Sequence, residues 1–341
     1  MNAPHHTAIR VAGKSGQLNQ QHSGQPAVFG AASAPGQWLA GLNLGFQSRS
    51  MKAEGQTRRQ TYASRREHIG PLRILKGFPS QSDQPDLYQQ IIVHPPGGIA
   101  AGDELHINVH GGDDTHVLMT SPGAAKWYRQ TEAGKPRSNI MPSEASQHLR
   151  VRIDNNASFE WMPLENIAFS GTRARLTADF HLANSAALIC ADVFCLGRPA
   201  SNEVFEHGLL ACSTRIFRRD QLLFSEQLRL YGGDRLLQSP AGLNGATSFG
   251  TLIAVPSLEL TEDPGRKLES LRDAIREQWR ELAADNERSG LLAVTALPEC
   301  LIVRWTGHSA QAGWIALRCV WENIRQPLIG RPPIPPRIWA C

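Results

Sequence analysis

The sequence lacks any apolar run that could cross a membrane, because a spanning helix needs roughly 18 or more consecutive apolar residues. The apolar run that begins at Ala186 is interrupted at Asp192. Residues 1–36 are rich in Gly, Ser, Gln, His and Ala and lack the apolar segment of a secretory signal. We therefore expect a flexible N-terminal tail at 1–36, no membrane contact and a cytoplasmic location.

Cysteine content and net charge are also low. The six cysteines form no C-x-x-C pair and are too sparse for a disulfide framework, so we expect most of them to be small buried hydrophobic residues. The 35 Lys and Arg residues exceed the 31 Asp and Glu residues by only four, in a chain of 341 residues. Charge alone therefore does not indicate a polyanion-binding protein.

Hydrophobic residues are plentiful, at 41%, and suffice for a large core. The 30 glycines and 22 prolines indicate many turns, which favours strands over long helices. Alternating apolar and polar residues predict strands with one solvent-exposed face at 87–93, 104–110, 149–154 and 174–182. Continuous apolar runs predict strands buried on both faces at 115–120, 187–196, 249–255 and 300–305, and residues 214–230 predict a hairpin.

The apolar period changes to three and four residues only near the end of the chain. Asp263 and Pro264 are typical of the N-cap and first residue of a helix, which we expect to stop near Gly290. A second helix is predicted to begin after Ser309 and to end at Pro327.

Many strands followed by two helices, without β-α-β alternation, predict a mainly β fold. We expect one large all-β domain of many strands at 37–341, with two α-helices near the C-terminus. The sequence shows no internal repeat of fixed period and no linker inside 38–341.

One alternative function is a hydrolase that uses Ser309, since Gly307-His308-Ser309 follows a predicted strand and precedes a helix. The fifth residue of that motif, Gln311, is not the Gly that a nucleophile elbow requires. A triad acid and base would follow the serine in such a fold, and the sequence has no His or Asp after Gln311. Ser309 is therefore better interpreted as a helix N-cap.

A second alternative is a polyanion-binding or nucleic-acid-binding β protein. It rests on the basic cluster Arg58, Arg59, Arg65 and Arg66, which has few aromatic neighbours for base stacking. A solvated strand face explains the cluster more simply, so we expect no nucleic-acid partner.

The segment 94–103 connects two predicted strands and has an unusual composition. Two prolines stiffen it and three glycines permit positive φ, so the loop holds His94 and Asp103 at its ends in a specific shape. A tight structural crossover and a functional loop both fit this pattern.

Several motifs in this order resemble the UreD (also called UreH) family of urease accessory proteins, over roughly residues 38–341. None of these motifs has a catalytic signature of its own, and their order and spacing together carry the resemblance. They are His94-Pro95-Pro96-Gly97-Gly98, Gly102-Asp103, Pro122 to Arg129, Glu160-Trp161-Met162-Pro163 with Glu165, Cys195 to Ala200 with Glu203, and Pro336 to Trp339.

The resemblance implies a urease maturation chaperone and not an enzyme. Such a protein docks on apo-urease and on UreF, through which it recruits the GTPase UreG, and it helps to deliver nickel to the urease active site. By motif match the resemblance implies a nickel route along Asp103, Glu165 and Glu203, with His94 as a further candidate ligand.

The chemistry of these residue types agrees with transient nickel and with no tightly bound cofactor. Ni(II) accepts carboxylate, imidazole and water ligands, and an isolated carboxylate releases the ion again. The sequence has no H-x-x-H or C-x-x-C cluster that would trap the ion, which favours transit over storage.

Overall fold

The computed structural model describes residues 38–53, 56–79, 86–130, 144–284 and 290–340. Strands dominate these residues and the two long helices come late, which confirms the predicted mainly β class. The predicted tail at 1–36 and the terminal Cys341 lie outside the described residues. In the described residues, no helix is both long and apolar enough to span a membrane.

The strands and helices follow one another in a simple order. The strands are β1 Leu39–Ala53, β2 Gln56–Ile69, β3 Arg73–Ile74, β4 Phe78–Pro79, β5 Leu87–Val93, β6 Glu104–Gly111, β7 His116–Thr120, β8 Ala125–Trp127, β9 Ala145–Ile153, β10 Ser158–Trp161, β11 Asn166–Ala168, β12 Arg173–Leu182, β13 Ala187–Leu196, β14 Leu209–Arg218, β15 Gln221–Tyr231, β16 Ser248–Val255, β17 Leu291–Ala296 and β18 Leu301–Gly307. The α-helices are α1 Arg235–Gln238, α2 Pro264–Ala284 and α3 Ala310–Ile329.

Two sheets face each other. The seven-stranded sheet has the order β15-β14-β12-β9-β6-β1-β2, and the main path of the larger sheet is β17-β18-β16-β13-β10-β7-β5-β3. The central strands are parallel within each sheet: β1, β6, β9, β12 and β14 in the first, and β5, β7, β10 and β13 in the second. The chain passes from the first sheet to the second five times, and three of these passages, β6 to β7, β9 to β10 and β12 to β13, coil it around the shared core.

The connections differ at the two ends of this coil. At one end the turns 112–115, 154–157 and 183–186 join the sheets with four residues each. Asp114 and Asn156 have positive φ there, the left-handed conformation that Asp and Asn tolerate better than most residues do. At the other end the connections are longer. The fold therefore collects its long loops at one end, where the strands of the larger sheet finish.

Burial follows the side-chain periodicity. In β6, Leu105, Ile107 and Val109 are buried between the sheets, whereas the residues between them are half-buried or exposed. β7 is buried throughout, because one face of the larger sheet packs on the first sheet and part of the other face packs on the helices. The predicted division into half-exposed and buried strands holds for β6, β9 and β12, but the exposed face predicted at 87–93 is wrong. No residue of β5 is exposed, because this strand lies inside the larger sheet beside β7.

The two predicted helices are present. The structure describes α2 as far as Ala284, and the stop predicted near Gly290 depends on residues 285–289, which lie outside the described residues. The carboxylate of Asp263 accepts a hydrogen bond from the Arg266 N–H before α2, and the hydroxyl of Ser309 accepts one from the Ala312 N–H before α3. The prediction that Pro327 ends the second helix is wrong. Pro327 lies in the last turn, where the missing N–H removes a single helical bond, and the helix ends at Gly330 with φ 72°.

The hairpin predicted at 214–230 is formed by β14 and β15, with Arg219 and Asp220 at positive φ in its two-residue turn. The four-residue helix α1, capped by Asp234, was not predicted. It is too short to show a helical period in the sequence.

Candidate functional site

The motifs that are scattered along the sequence meet at one edge of the larger sheet. The parallel strands β5, β7, β10 and β13 are neighbours, so their carboxyl ends lie side by side. His94 follows β5, Ser121 follows β7, Met162 follows β10 and Gly197 follows β13. This edge is the place in a parallel sheet where loops commonly build a binding site.

The loop after β5 is held by its own acid. The Asp103 carboxylate, 6% exposed, accepts hydrogen bonds from the Ala100 N–H at 2.8 Å and from the Trp38 N–H at 3.1 Å. Gly98 is required because a Cβ there would lie 2.0 Å from the ring of Tyr128. Asp103 therefore fixes the loop that carries His94.

His94 lies at the start of this loop with both ring nitrogens buried and without a hydrogen-bond partner in the described residues. Burial lowers the pKa of His94, and the nearby carboxylate of Asp103 partly opposes that shift. The ring is therefore neutral at physiological pH. A neutral imidazole offers a nitrogen lone pair to a metal ion.

The imidazole of His94 borders a cavity of about 220 Å³ between the sheets. Polar groups at its wall come from Thr120, Ser121, Gln147, Asn166 and Asp192. A second cavity, of about 70 Å³, shares Gln147, Trp161 and Asp192 with the first. The two cavities are thus adjacent, and Asp192 stands between them.

Asp192 is an acid in the middle of an apolar strand, β13. The Trp161 indole and the Asn166 amide donate hydrogen bonds to its carboxylate, and Asn166 in turn accepts one from the Trp127 indole at 3.1 Å. Burial raises the pKa of Asp192 to about 7, and the two donors limit the rise. The carboxylate of Asp192 lies inside the protein, and part of its surface borders the two cavities. A small ion inside either cavity could therefore contact it.

The smaller cavity leads from Asp192 toward the edge strand β15. Its wall includes the thiols of Cys190 and Cys212 and the carboxylate of Glu226. Burial raises the pKa of both thiols well above the usual range, and the charges of Asp192 and Glu226 add to that rise. Both thiols are therefore protonated and neutral at physiological pH, so neither offers a thiolate to a metal ion.

Glu203 and Glu165, two of the acids predicted from the motifs, lie away from the two cavities. Glu203 accepts hydrogen bonds from the Ser170 N–H at 2.9 Å and from the Arg198 guanidinium at 2.5 and 3.1 Å. This contact with Arg198 is the main cause of the lowered pKa of Glu203. The carboxylate of Glu165 lies near Cys195 and contributes to the raised pKa of that thiol. Neither acid borders either cavity.

The structure therefore places His94 at the larger cavity as a ligand candidate, whereas Asp103 supports the loop and does not line the cavity. It adds Asp192, which borders both cavities, and Glu226, which borders the smaller one. A sequence signal for Asp192 exists, since a charged residue interrupts the apolar run of β13, although the motifs do not include it. Glu226 had no such signal, because it belongs to an alternating hairpin strand in which outward-facing acids are common.

The candidate metal ligands along the two cavities, His94, Asp192 and Glu226, do not form a cluster. No group of three or more His, Cys, Asp or Glu side chains that could hold a metal ion occurs in the part of the chain that the structure describes. One imidazole and two carboxylates, placed one after another along the cavities, provide weak sites for a first-row divalent ion. Such an arrangement suits an ion that passes through better than one that is stored.

Comparison with known proteins identifies the family of the chain. The family model described as UreD urease accessory protein matches residues 40–340. A urease accessory protein UreD 2 from Pseudomonas syringae pv. syringae is 39% identical over 302 residues, which are 89% of this chain and 95% of the relative. The urease accessory protein UreD of Nitrosococcus oceani is 36% identical and that of Dechloromonas aromatica 35%, each over 89% of this chain and 91% and 94% of the relative.

Proposed function

This chain belongs to the UreD family of urease accessory proteins, and we propose that it guides nickel through the space between its two sheets during urease maturation. Nickel is the cargo, bound transiently, and the protein holds no tight cofactor. It acts as a chaperone and not as an enzyme.

A single observation carries this proposal: the carboxylate of Asp192 stands at the junction of two internal cavities. A buried acid without a cationic partner is costly in a structural core, and such acids are typical of functional sites. Among the causes of the raised pKa of Asp192, burial comes first and no cation contributes. A divalent ion would supply the missing positive charge.

The proposed route begins at His94, passes Asp192 and ends near Glu226. His94 offers a neutral nitrogen at the end of the molecule where the long loops lie. Glu226 is 26% exposed and lies beside Arg304, at the side of the sandwich where β15 and β18 approach each other. Arg304 competes with the ion for this carboxylate, which favours release at that point.

The partners that we propose are UreF, the GTPase UreG through UreF, and apo-urease, in the cytoplasm and without nucleic acid or membrane. The motif-bearing loops support this assignment, since they gather at one end and leave Pro96, Pro122, Lys126 and Arg198 exposed around the His94 end. Loops positioned by a rigid scaffold are common contact surfaces.

The experiment compares Asp192→Asn with the control Asp220→Asn, which lies in a surface turn at positive φ where Asn is well tolerated. Nickel per urease active site is measured after activation in cells, together with UreF pull-down and melting temperature. We expect Asp192→Asn to lower nickel loading by about tenfold, the scale of a lost interaction at a metal site, while partner binding persists. Normal loading with Asp192→Asn would overturn the route.

A further inference from the structure

The hairpin of β1 and β2 continues beyond the sheet to which it belongs. β1 pairs with β6 only as far as Phe46, whereas its pairing with β2 continues to the Ala53–Gln56 pair. The described residues 49–53 and 56–60 therefore form a two-stranded ribbon, which we call the arm.

Both faces of the arm are exposed to solvent. Successive residues in a strand point to opposite faces, and Arg49 and Ser50 are both exposed, as are Arg58 and Arg59. A core strand would bury one of each pair. The arm therefore projects from the sandwich, and a two-stranded ribbon of this kind gains little stability from packing of its own.

The arm carries most of the net charge of the protein. Residues 49–60 contain Arg49, Lys52, Arg58 and Arg59 against one acid, Glu54, which lies outside the described residues. The segment thus has a charge of +3, and the whole chain has +4. A charge concentrated on a projecting element attracts an oppositely charged surface over about one Debye length, roughly 8–10 Å at moderate salt.

Two of these cations are held in place before any partner binds. The Arg49 guanidinium donates to the Gln60 side-chain oxygen at 2.8 and 3.1 Å and lies 5.2 Å from the centre of the Tyr62 ring. Arg59 bonds to Asp114, in the turn at the base of the arm. Arg49 is thus ordered by neutral groups, and its charge is not cancelled by a carboxylate. An ordered cation loses little side-chain entropy on binding.

We propose that the arm docks on a protein partner that presents clustered carboxylates. The inference rests on the proposed function, in which this chain works inside an assembly of proteins. The arm leaves the sandwich at the end with the four-residue turns, as its contact with Asp114 shows, opposite the His94 loop. A partner bound there leaves the cavity entrance accessible.

Two features favour a protein over a nucleic acid. Arg49 covers one face of Tyr62, the aromatic residue at the base of the arm, and so competes with a base for stacking on that face. Met51, 39% exposed beside the cations, adds an apolar contact suited to a protein surface.

The test uses the full chain with Arg49→Gln, Lys52→Gln and Arg58→Gln combined. Its control removes three charges from helix α2 instead, with Lys267→Gln, Arg272→Gln and Arg280→Gln. Affinities for purified UreF, for apo-urease and for a 20-base-pair DNA duplex are measured at low and at moderate salt. Amide hydrogen exchange of 49–60 is followed with and without each protein.

We expect the arm variant to bind one of the two proteins about tenfold more weakly at low salt, with a flatter salt dependence, and the α2 variant to bind like the wild type. The bound protein should also slow hydrogen exchange in the arm. Unchanged affinity for both proteins overturns the inference and leaves the proposed function standing. Equal losses in both triple variants, or a loss confined to DNA, also overturn it. A wild-type chain that binds neither protein contradicts the proposed function together with the inference.

Discussion

Glu160 and Arg325, 165 residues apart in the sequence, form an ion pair in which both side chains are fully buried. Arg325 donates to both carboxylate oxygens at 3.0–3.1 Å, and the Trp321 indole donates to the same carboxylate at 2.5 Å. Since Glu160 belongs to β10 and Arg325 to α3, the pair fastens the last helix to the larger sheet.

We expect Glu160→Gln to lower the free energy of unfolding by about 3–5 kcal/mol, because it leaves a buried guanidinium without its counter-charge. Urea denaturation of the purified protein measures the loss. The control is Glu277→Gln, which breaks an exposed pair with Arg280 and should change stability by less than about 0.5 kcal/mol. Similar losses in the two variants would mean that the buried pair contributes no more than a surface pair does.

The raised pKa of Asp192 predicts a specific pH dependence of stability. Its folded pKa of about 7 lies above the ordinary value of 3.8, so between these pH values the folded state keeps a proton that the unfolded state has lost. The contribution of Asp192 to the free energy of unfolding is therefore fully present below about pH 4. It is lost as the pH rises through 7. Asp192→Asn removes the dependence.

The measurement is the difference in unfolding free energy between Asp192→Asn and the wild type at pH 5 and pH 8. We expect the variant to gain about 3 kcal/mol relative to the wild type over that interval. The control Asp220→Asn should show no such trend. A difference that is the same at both pH values would contradict the raised pKa.

The sequence predicts the strands of this fold better than it predicts the site. The run 187–196 was predicted as a strand and is β13 with the same limits, because a strand covered on both faces leaves a continuous apolar pattern. Which loops meet depends on strand order, and no local pattern encodes that order. The proximity of His94 to Asp192 follows from the parallel pairing of β5, β7, β10 and β13.

Local patterns also explain the error at the end of α3. Proline is a strong helix-ending signal, yet Pro327 is followed by two more helical residues, since Leu328 and Ile329 are buried against the larger sheet. Tertiary packing outweighed the lost hydrogen bond there.

The variant His94→Leu distinguishes a nickel-binding role of His94 from a structural role. Because both ring nitrogens are buried without partners, replacing the ring by an apolar side chain should leave stability within about 1 kcal/mol of the wild type or raise it. Nickel loading of urease should nevertheless fall if the imidazole binds the ion. Nickel content and melting temperature are measured side by side, with the exposed His207→Leu as control. Full nickel loading with His94→Leu would remove this residue from the route.

Glu203 has two possible roles, and one pair of variants distinguishes them. The motif resemblance predicts that Glu203 carries nickel, and the structure shows that its carboxylate holds Arg198 and the Ser170 N–H. The backbone there is tightly packed, since a Cβ at Gly197 would lie 2.3 Å from the Glu203 carbonyl oxygen. Loss of the carboxylate should therefore loosen the loop and lower stability by about 1–3 kcal/mol, the usual cost of charge-assisted hydrogen bonds.

We expect Glu203→Ala to lower nickel loading only in proportion to this loss of stability if the carboxylate is structural. Arg198→Ala breaks the same ion pair and leaves the carboxylate in place, so a structural role predicts similar nickel loading in the two variants. A transit role predicts that Glu203→Ala loads less nickel than Arg198→Ala at equal melting temperature. Glu206→Gln, an exposed acid in the same loop, is the control for surface charge. Equal loading in both variants would assign Glu203 to the loop and leave the route to His94, Asp192 and Glu226.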